Sequence, residues 1–282
     1  MSAAQLRQVA RAQLRRVDDV YRSATASMRA LPDFLIIGEA KCGTTSLYDD
    51  LVDHRTVLEA AAKEVHFFDL RYHRGLDWYK AQFPLLWRIR KDSPRVQTGE
   101  ASPYYMFHPH APQRIKDAVP DVKLIVMLRN PVERAYSHYQ HECRRQREAR
   151  SFEDAVNKEP ERLRGEVERM LEDPRYNSRE HRRHAYVTRG VYVDSLQKVM
   201  RVFGPDQLLV IRSEDYFAAP DATLRQVLDF LGVPARQPRR FARKNVGSYA
   251  PIDPDLRRRL AEFYAPHNAR LYELLGVDYG WK

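Results

Sequence analysis

The sequence is short of the features that mark secreted, membrane-spanning and repeat proteins. It has only two cysteines, Cys42 and Cys143, in 282 residues, too few for a disulfide framework. No apolar run approaches the roughly 20 residues of a membrane span. Residues 1–30 lack the continuous apolar centre of a secretion signal. These absences predict a cytoplasmic protein with no membrane span. There is no internal repeat and no low-complexity linker, which points to one folded domain. Acidic residues are outnumbered, 38 against 48 Lys and Arg, for a net charge of +10. That excess favours an anionic partner: a nucleotide, an acidic glycan, nucleic acid or an anionic membrane. An arginine-rich proteome would produce the same balance, so charge alone selects none of them.

What is present is a strand that runs into a phosphate-type loop. Phe34-Leu-Ile-Ile-Gly38 is apolar, Lys41-Cys42-Gly43 turns, and Thr44-Thr45-Ser46 opens a helix. Successive backbone N–H groups and a helix N-terminus wrap an anion, and a lysine adds a point charge. An ordinary strand-to-helix turn would share part of this pattern. The order is not that of a Walker A loop, which ends Gly-Lys-Ser/Thr. Here Lys41 precedes Gly43 by two positions.

The rest of the chain alternates short apolar runs with helical patterns. Residues 1–31 read as a basic amphipathic helix that docks on the domain, pairs with another subunit or touches a membrane surface. The domain proper is then 32–282. Strands are expected at 34–38, 96–99, 123–129 and 208–212. Helices are expected at 44–53, 75–83, 109–119, 131–147, 190–203, 223–231 and 254–275, the last broken at Pro266. Residues 57–70 read as extended, 148–185 as helices or a lid, and 234–250 as a loop. This alternation predicts an α/β fold, a parallel sheet with helices on both faces.

Strand 123–129 ends in Arg129 rather than in the Asp of a metal-binding Walker B strand. Asn130-Pro131 follows, then Arg134 and Ser137. An Arg and a Ser so placed hold a second phosphate through charge-assisted bonds. The expected ligand carries two separate phosphates and needs no metal.

On these motifs the chain resembles the sulfotransferases that use 3′-phosphoadenylyl sulfate (PAPS) and release 3′,5′-ADP. Lys41-Cys42-Gly43-Thr44-Thr45 matches their 5′-phosphosulfate loop. Arg129-Asn130-Pro131 with Arg134 and Ser137 matches their 3′-phosphate motif. Lys63-Glu64-Val65-His66-Phe67-Phe68-Asp69 and Gly75-Leu76-Asp77-Trp78-Tyr79 are similar to the heparan-type branch, which includes the glucosaminyl 3-O-sulfotransferases. So are Arg189-Gly190-Val191-Tyr192, Leu228-Asp229-Phe230-Leu231-Gly232 and Asp278-Tyr279-Gly280-Trp281.

The resemblance implies a P-loop-type sheet and sulfuryl transfer to a hydroxyl or amine. It assigns Lys41 to the leaving phosphate and Cys42, Gly43, Thr44, Thr45 and Ser46 to the 5′-phosphate. Arg129 and Ser137 take the 3′-phosphate. Glu64 is the general base, unless it is merely paired with Lys63 or an arginine. His66 is the rival base or a structural histidine. Lys63 is expected near the substrate, and Glu100, at the end of a strand, orients Lys41 or the acceptor or only caps a turn. Tyr192 stacks on adenine or packs in the core. Arg243, Lys244, Asn245 and Gly247 form a basic loop that closes on the nucleotide or is simply solvated.

The sequence departs from the Golgi members at Glu100-Ala101-Ser102-Pro103, where they carry a lysine after the glutamate. It shows neither their anchor nor their C-terminal disulfide loop. The expectation is therefore a soluble enzyme of bacterial type acting on a small-molecule, glycan or glycolipid acceptor. The competing readings are a P-loop kinase for a small metabolite and a basic nucleic-acid binder; no recognised nucleic-acid module supports the second.

Overall fold

The protein is described by a computed structural model, which covers residues 17–90, 96–234 and 250–281. Among the described residues, five parallel strands form one sheet in the order β2-β3-β1-β4-β5. They are β1 (Phe34–Gly38), β2 (Val57–Glu59), β3 (Gln97–Ala101), β4 (Lys123–Leu128) and β5 (Leu208–Arg212). This is a single α/β domain of the kind the alternating pattern predicts.

The apolar runs explain the layering. Successive side chains of a strand point to opposite faces. Leu35 and Ile37 of β1 join Leu124, Val126 and Leu128 of β4 in a core under one face. Phe34 and Ile36 join Ile125 and Met127 under the other. All five β1 positions are buried, so the central strand needs apolar residues throughout rather than in alternation. Each such side chain contributes about 1.5–3 kcal/mol when fully buried. Helices Tyr192–Met200 and Pro254–Leu275 cover the first core through Val193, Leu196, Val199, Leu256, Leu260 and Tyr264. Helices Thr44–Val52 and Pro220–Leu231 cover the second through Leu47, Leu51, Val227 and Leu228.

The strand order sets the site. From β1 the chain moves outward to β2 and β3, then crosses back to β4 and β5 on the other side. Such a reversal leaves a crevice at the carboxyl ends of the strands. Lys41 follows β1, Glu64 follows β2, Glu100 is the last residue but one of β3, and Arg129 follows β4. All four motifs therefore emerge at one edge.

Several expectations need correction. Residues 67–71 are not extended. His66 takes a left-handed backbone (φ 54°) and the chain then forms one wide helical turn, Phe67–Arg71, that buries Phe67, Phe68 and Asp69. Glu100 lies inside β3 rather than at the turn after it. Helix Pro254–Leu275 runs unbroken through Pro266, because its buried face holds Leu260, Tyr264, Asn268 and Leu271 on either side of the proline. Helix Ser213–Ala218 was not anticipated. Residues 152–163, 166–172 and 179–183 are helical, in line with the helical reading of 148–185. Of the basic N-terminal segment only residues 17–31 are described, and 17–24 are helical. Among the described residues, no helix is long and apolar enough to cross a membrane.

Candidate active site

The phosphate-type loop is braced from below. Glu39 is fully buried and its Oε1 accepts from the Ala40 N–H (2.6 Å) and from Arg189 Nε (2.5 Å). The Cys42 N–H donates to the Glu39 carbonyl at 3.1 Å, and Ser213 Oγ donates to the Cys42 carbonyl. Cys42 thus spends its amide inside the turn, and its thiol is buried, which pushes it up to about 12. This corrects its expected part in binding: Cys42 shapes the loop instead.

Gly43 stands at φ 91° and a Cβ there would come within 2.9 Å of the Phe217 ring. Only glycine satisfies both conditions. No side chain caps the helix that Gly43 starts. The first N–H groups of Gly43, Thr44, Thr45 and Ser46 lack intrahelical partners by helix geometry, which is the arrangement that receives an anion at a helix N-terminus.

Lys41 also takes a left-handed backbone, φ 73°, which costs a non-glycine residue about 1–2 kcal/mol. Burial, then the charges of Arg144 and Arg129, push its ammonium below the ordinary lysine range. Arg129 Nη1 donates to the Lys41 carbonyl at 3.4 Å, so the β4 arginine lies beside the β1 loop. Asn130 caps helix Pro131–Arg144 by accepting from the Val132 and Glu133 N–H groups, and Ser137 is buried one turn further on. His141 of the same helix is pushed down to about 4 by burial, then by Lys41, Arg145 and Arg144. Among the described residues, Lys41, Arg129, Arg144 and Arg145 have no carboxylate within ion-pairing reach.

On the other side of the loop the charges are paired. Lys63 Nζ donates to Thr45 Oγ1 at 2.7 Å and to Glu64 Oε1 at 2.9 Å. His66 lies between two carboxylates, with Nε2 3.1 Å from Glu64 and Nδ1 2.7 Å from Asp69. Burial alone would raise Glu64, but the His66 bond and the Lys63 charge outweigh it and bring it down to about 2. Burial alone would lower His66, but its bonds to Asp69 and Glu64 lift it to about 9. At neutral pH Glu64 is ionised and His66 is an imidazolium bonded to both Glu64 and Asp69. Both ring nitrogens are then donors, so His66 holds no lone pair with which to act as the base. Asp69 is the one member of this cluster that the sequence reading did not single out, and its place three residues after His66 was the available signal.

Two expected contacts are not what the structure places. Tyr192 is buried, its hydroxyl donates to the Arg129 carbonyl at 2.9 Å, and its ring meets Trp281 edge to face. No face of the ring is left for adenine, so Tyr192 supports Arg129 from within the core. Glu100 is fully buried and receives four hydrogen bonds, from the Val65 N–H and from Ser102, Tyr79 and Tyr105. It has no surface to offer a substrate. Arg134 is likewise fully enclosed and donates to the Tyr186 carbonyl. Arg243, Lys244, Asn245 and Gly247 lie outside the described residues.

The strand edge thus brings together a helix N-terminus, cations that have no carboxylate partner among the described residues, and the Glu64 carboxylate, an arrangement suited to group transfer. The sulfotransferase domain family model matches residues 31–246, and the chain belongs to that family. It is 32% identical to heparan sulfate glucosamine 3-O-sulfotransferase 3B1 of Mus musculus, over 91% of this chain and 66% of that protein. It is 30% identical to the human bifunctional heparan sulfate N-deacetylase/N-sulfotransferase 3, over 87% of this chain and 30% of that one. The chain thus spans just under two thirds of the first relative's length. The crystal structure of a sulfotransferase from Alicyclobacillus acidocaldarius superposes with a TM-score of 0.69 at 33% identity, covering 88% of this chain and 97% of that one.

Proposed function

We propose that the protein transfers a sulfuryl group from PAPS to a hydroxyl or amine of a small-molecule, glycan or glycolipid acceptor, with Glu64 as general base. The observation that carries this reading is the Lys63 bridge. One ammonium ties Thr45 of the anion cradle to the Glu64 carboxylate, so donor and base sites are one lysine apart. Family membership supports sulfuryl transfer as the reaction class.

In this mechanism the acceptor oxygen or nitrogen attacks sulfur in line with the leaving phosphate. The new bond to sulfur forms as the S–O bond to the phosphate breaks. The acceptor proton passes to Glu64, and the electron pair of the broken bond leaves on 3′,5′-ADP. The N–H groups of Gly43 to Ser46 and the Lys41 ammonium stabilise the charge that collects on the leaving oxygen. Arg129 and Ser137 hold the 3′-phosphate. Bare N–H groups and cations without carboxylate partners fit a ligand with two phosphates.

A carboxylate held near 2 is ionised at every physiological pH but is a weak proton acceptor. The incoming sulfonate competes for Lys63 and draws that charge off Glu64, so the base strengthens when the donor is bound. His66 and Asp69 keep Glu64 oriented while this happens. The two free thiols suit the reducing cytoplasm in which we place the protein.

Transfer of label from PAPS to a panel of phenols, aminosugars, glycolipids and heparan sulfate tests the reaction and its acceptor together. Calorimetry tests the donor site: 3′,5′-ADP should bind without Mg²⁺ and more tightly than ATP with Mg²⁺. The opposite order would make the protein a kinase.

A further inference from the structure

The segment that carries Glu64 is held by an unusual set of bonds. Residues 65–67 belong to no strand ladder, and His66 has a strained left-handed backbone. Three successive peptide N–H groups there end on side chains of β3 and of the segment that leaves it. The Val65 N–H donates to Glu100 Oε2 at 2.9 Å. The His66 N–H donates to Ser102 Oγ at 3.1 Å. The Phe67 N–H donates to the Tyr105 hydroxyl at 2.8 Å.

The second and third acceptors are themselves donors to the first. Ser102 Oγ donates to Glu100 Oε2 at 2.6 Å, and the Tyr105 hydroxyl to Glu100 Oε1 at 2.8 Å. Each of the three N–H groups therefore ends on one carboxylate, directly or through a single hydroxyl. Tyr79 adds a fourth donor at 3.0 Å. Glu100 is fully buried, and chains of this kind strengthen one another in a low-dielectric setting. The backbone is tied on both sides of Glu64: before it, the Lys63 carbonyl accepts from the Ala101 N–H at 2.9 Å.

We propose that Glu100 is a positioning residue for the transfer. Its carboxylate terminates the bonds that fix residues 65–67 and so sets where the Glu64 and His66 side chains point. The proposal rests on Glu64 being the base, and adds that the aim of Glu64 is set from β3. The β3 glutamate never touches the substrate; it acts through three peptide groups.

The test compares Glu100→Ala, Glu100→Gln and Tyr105→Phe by the release of 3′,5′-ADP from PAPS with water as the acceptor. Water takes the acceptor's place, so no identified acceptor is needed, and under the proposed mechanism its proton passes to the same Glu64. A misplaced base costs up to about a hundredfold, so kcat should fall about a hundredfold in Glu100→Ala and about tenfold in Tyr105→Phe. KM for PAPS and the affinity for 3′,5′-ADP should stay within about threefold, because the cradle is untouched.

Glu100→Gln should return to within about threefold of the parent. Its amide oxygen keeps the Val65 and Ser102 bonds, and its NH₂ donates to tyrosine hydroxyls that rotate to accept. A merely structural Glu100 would lower thermal stability and leave kcat of the folded protein unchanged, which would overturn the proposal. Tyr105→Phe carries the same comparison if Glu100→Ala does not fold.

The double variant Glu64→Gln/Glu100→Ala separates the two ideas. It should be no slower than Glu64→Gln alone. An active Glu64→Gln would refute the base reading. An inactive Glu64→Gln with losses that add in the double variant would refute positioning by Glu100.

Discussion

The two halves of the site are built in opposite ways. On the donor side Lys41, Arg129, Arg144 and Arg145 crowd together without a carboxylate among the described residues. Burial and the neighbouring cations push the Lys41 ammonium below the ordinary lysine range, and an anion would relieve that repulsion. On the proposed acceptor side the charges are paired: Lys63 with Glu64, Glu64 with His66, and His66 with Asp69. One half is a binding site that lacks its counter-charge. The other is an internally neutralised device whose geometry is set before any ligand arrives. The two meet at Lys63, and the left-handed backbones of Lys41 and His66 lie one in each half. Strain at a site persists only where the surrounding structure over-determines it. Here the surroundings are the Glu39–Arg189 pair under one loop and the Glu100 network behind the other.

The contrast predicts that damage to the two halves separates in kinetics and binding. The largest effect belongs to Glu64→Gln. Release of 3′,5′-ADP from PAPS should slow about 10²- to 10⁴-fold, the usual contribution of a general base. Calorimetric affinity for 3′,5′-ADP should stay within about threefold, because the paired half does not hold the nucleotide. Equal losses in both would erase the distinction between the halves.

Lys41→Ala comes next. Removing one donor from a developing anion costs roughly 10²- to 10³-fold in rate, and binding should weaken with it. Arg129→Ala should weaken 3′,5′-ADP by roughly ten- to hundredfold, the worth of a hydrogen bond to a charged group. Affinity for 5′-AMP should not change. If 5′-AMP weakened equally, Arg129 would serve the 5′-phosphate and the two-phosphate division would fall.

The unpaired half was the legible one. A continuous apolar run announces a buried parallel strand, and a lysine or arginine just past its end needs no tertiary knowledge to be noticed. β1, β4 and β5 and the anion loop could be read in that way. The paired half depends on contacts between residues far apart in the chain. Glu100 in its sequence setting is a polar residue before Ser-Pro, and only folding shows it enclosed by Tyr79 and Tyr105. Residues 57–70 looked extended because their aromatic run fits a strand. The left-handed turn at His66 that redirects them is fixed by bonds to residues 100–105, which no local pattern records. Pro266 misled for the opposite reason: local propensity forbids it, and burial of the helix face on both sides overrides that.

The smallest predicted effect probes the paired half by pH. His66 is lifted to about 9 by its carboxylate partners, above its ordinary value of about 6.5. A raised histidine contributes stability that is complete below its unfolded value and is lost as pH rises through the folded one. Glu64, brought down to about 2, contributes stability that is complete above about 4.5 and is lost as the pH falls through about 2. The cluster therefore stabilises the fold most between about pH 4.5 and 6.5. Asp69→Asn keeps the shape of the partner and removes its charge. The variant should melt below the parent near pH 6, by roughly 2–4 °C for each kcal/mol lost. The gap should narrow as the pH rises from about 6.5 and be closed by about 9, where the parent's imidazolium has also gone. Scanning calorimetry of both proteins from pH 5 to pH 10 reads this directly. A gap of constant size across that range would mean that Asp69 supports residues 66–71 by packing and hydrogen bonding alone. The paired half would then owe its order to the Glu100 network rather than to the charge on His66.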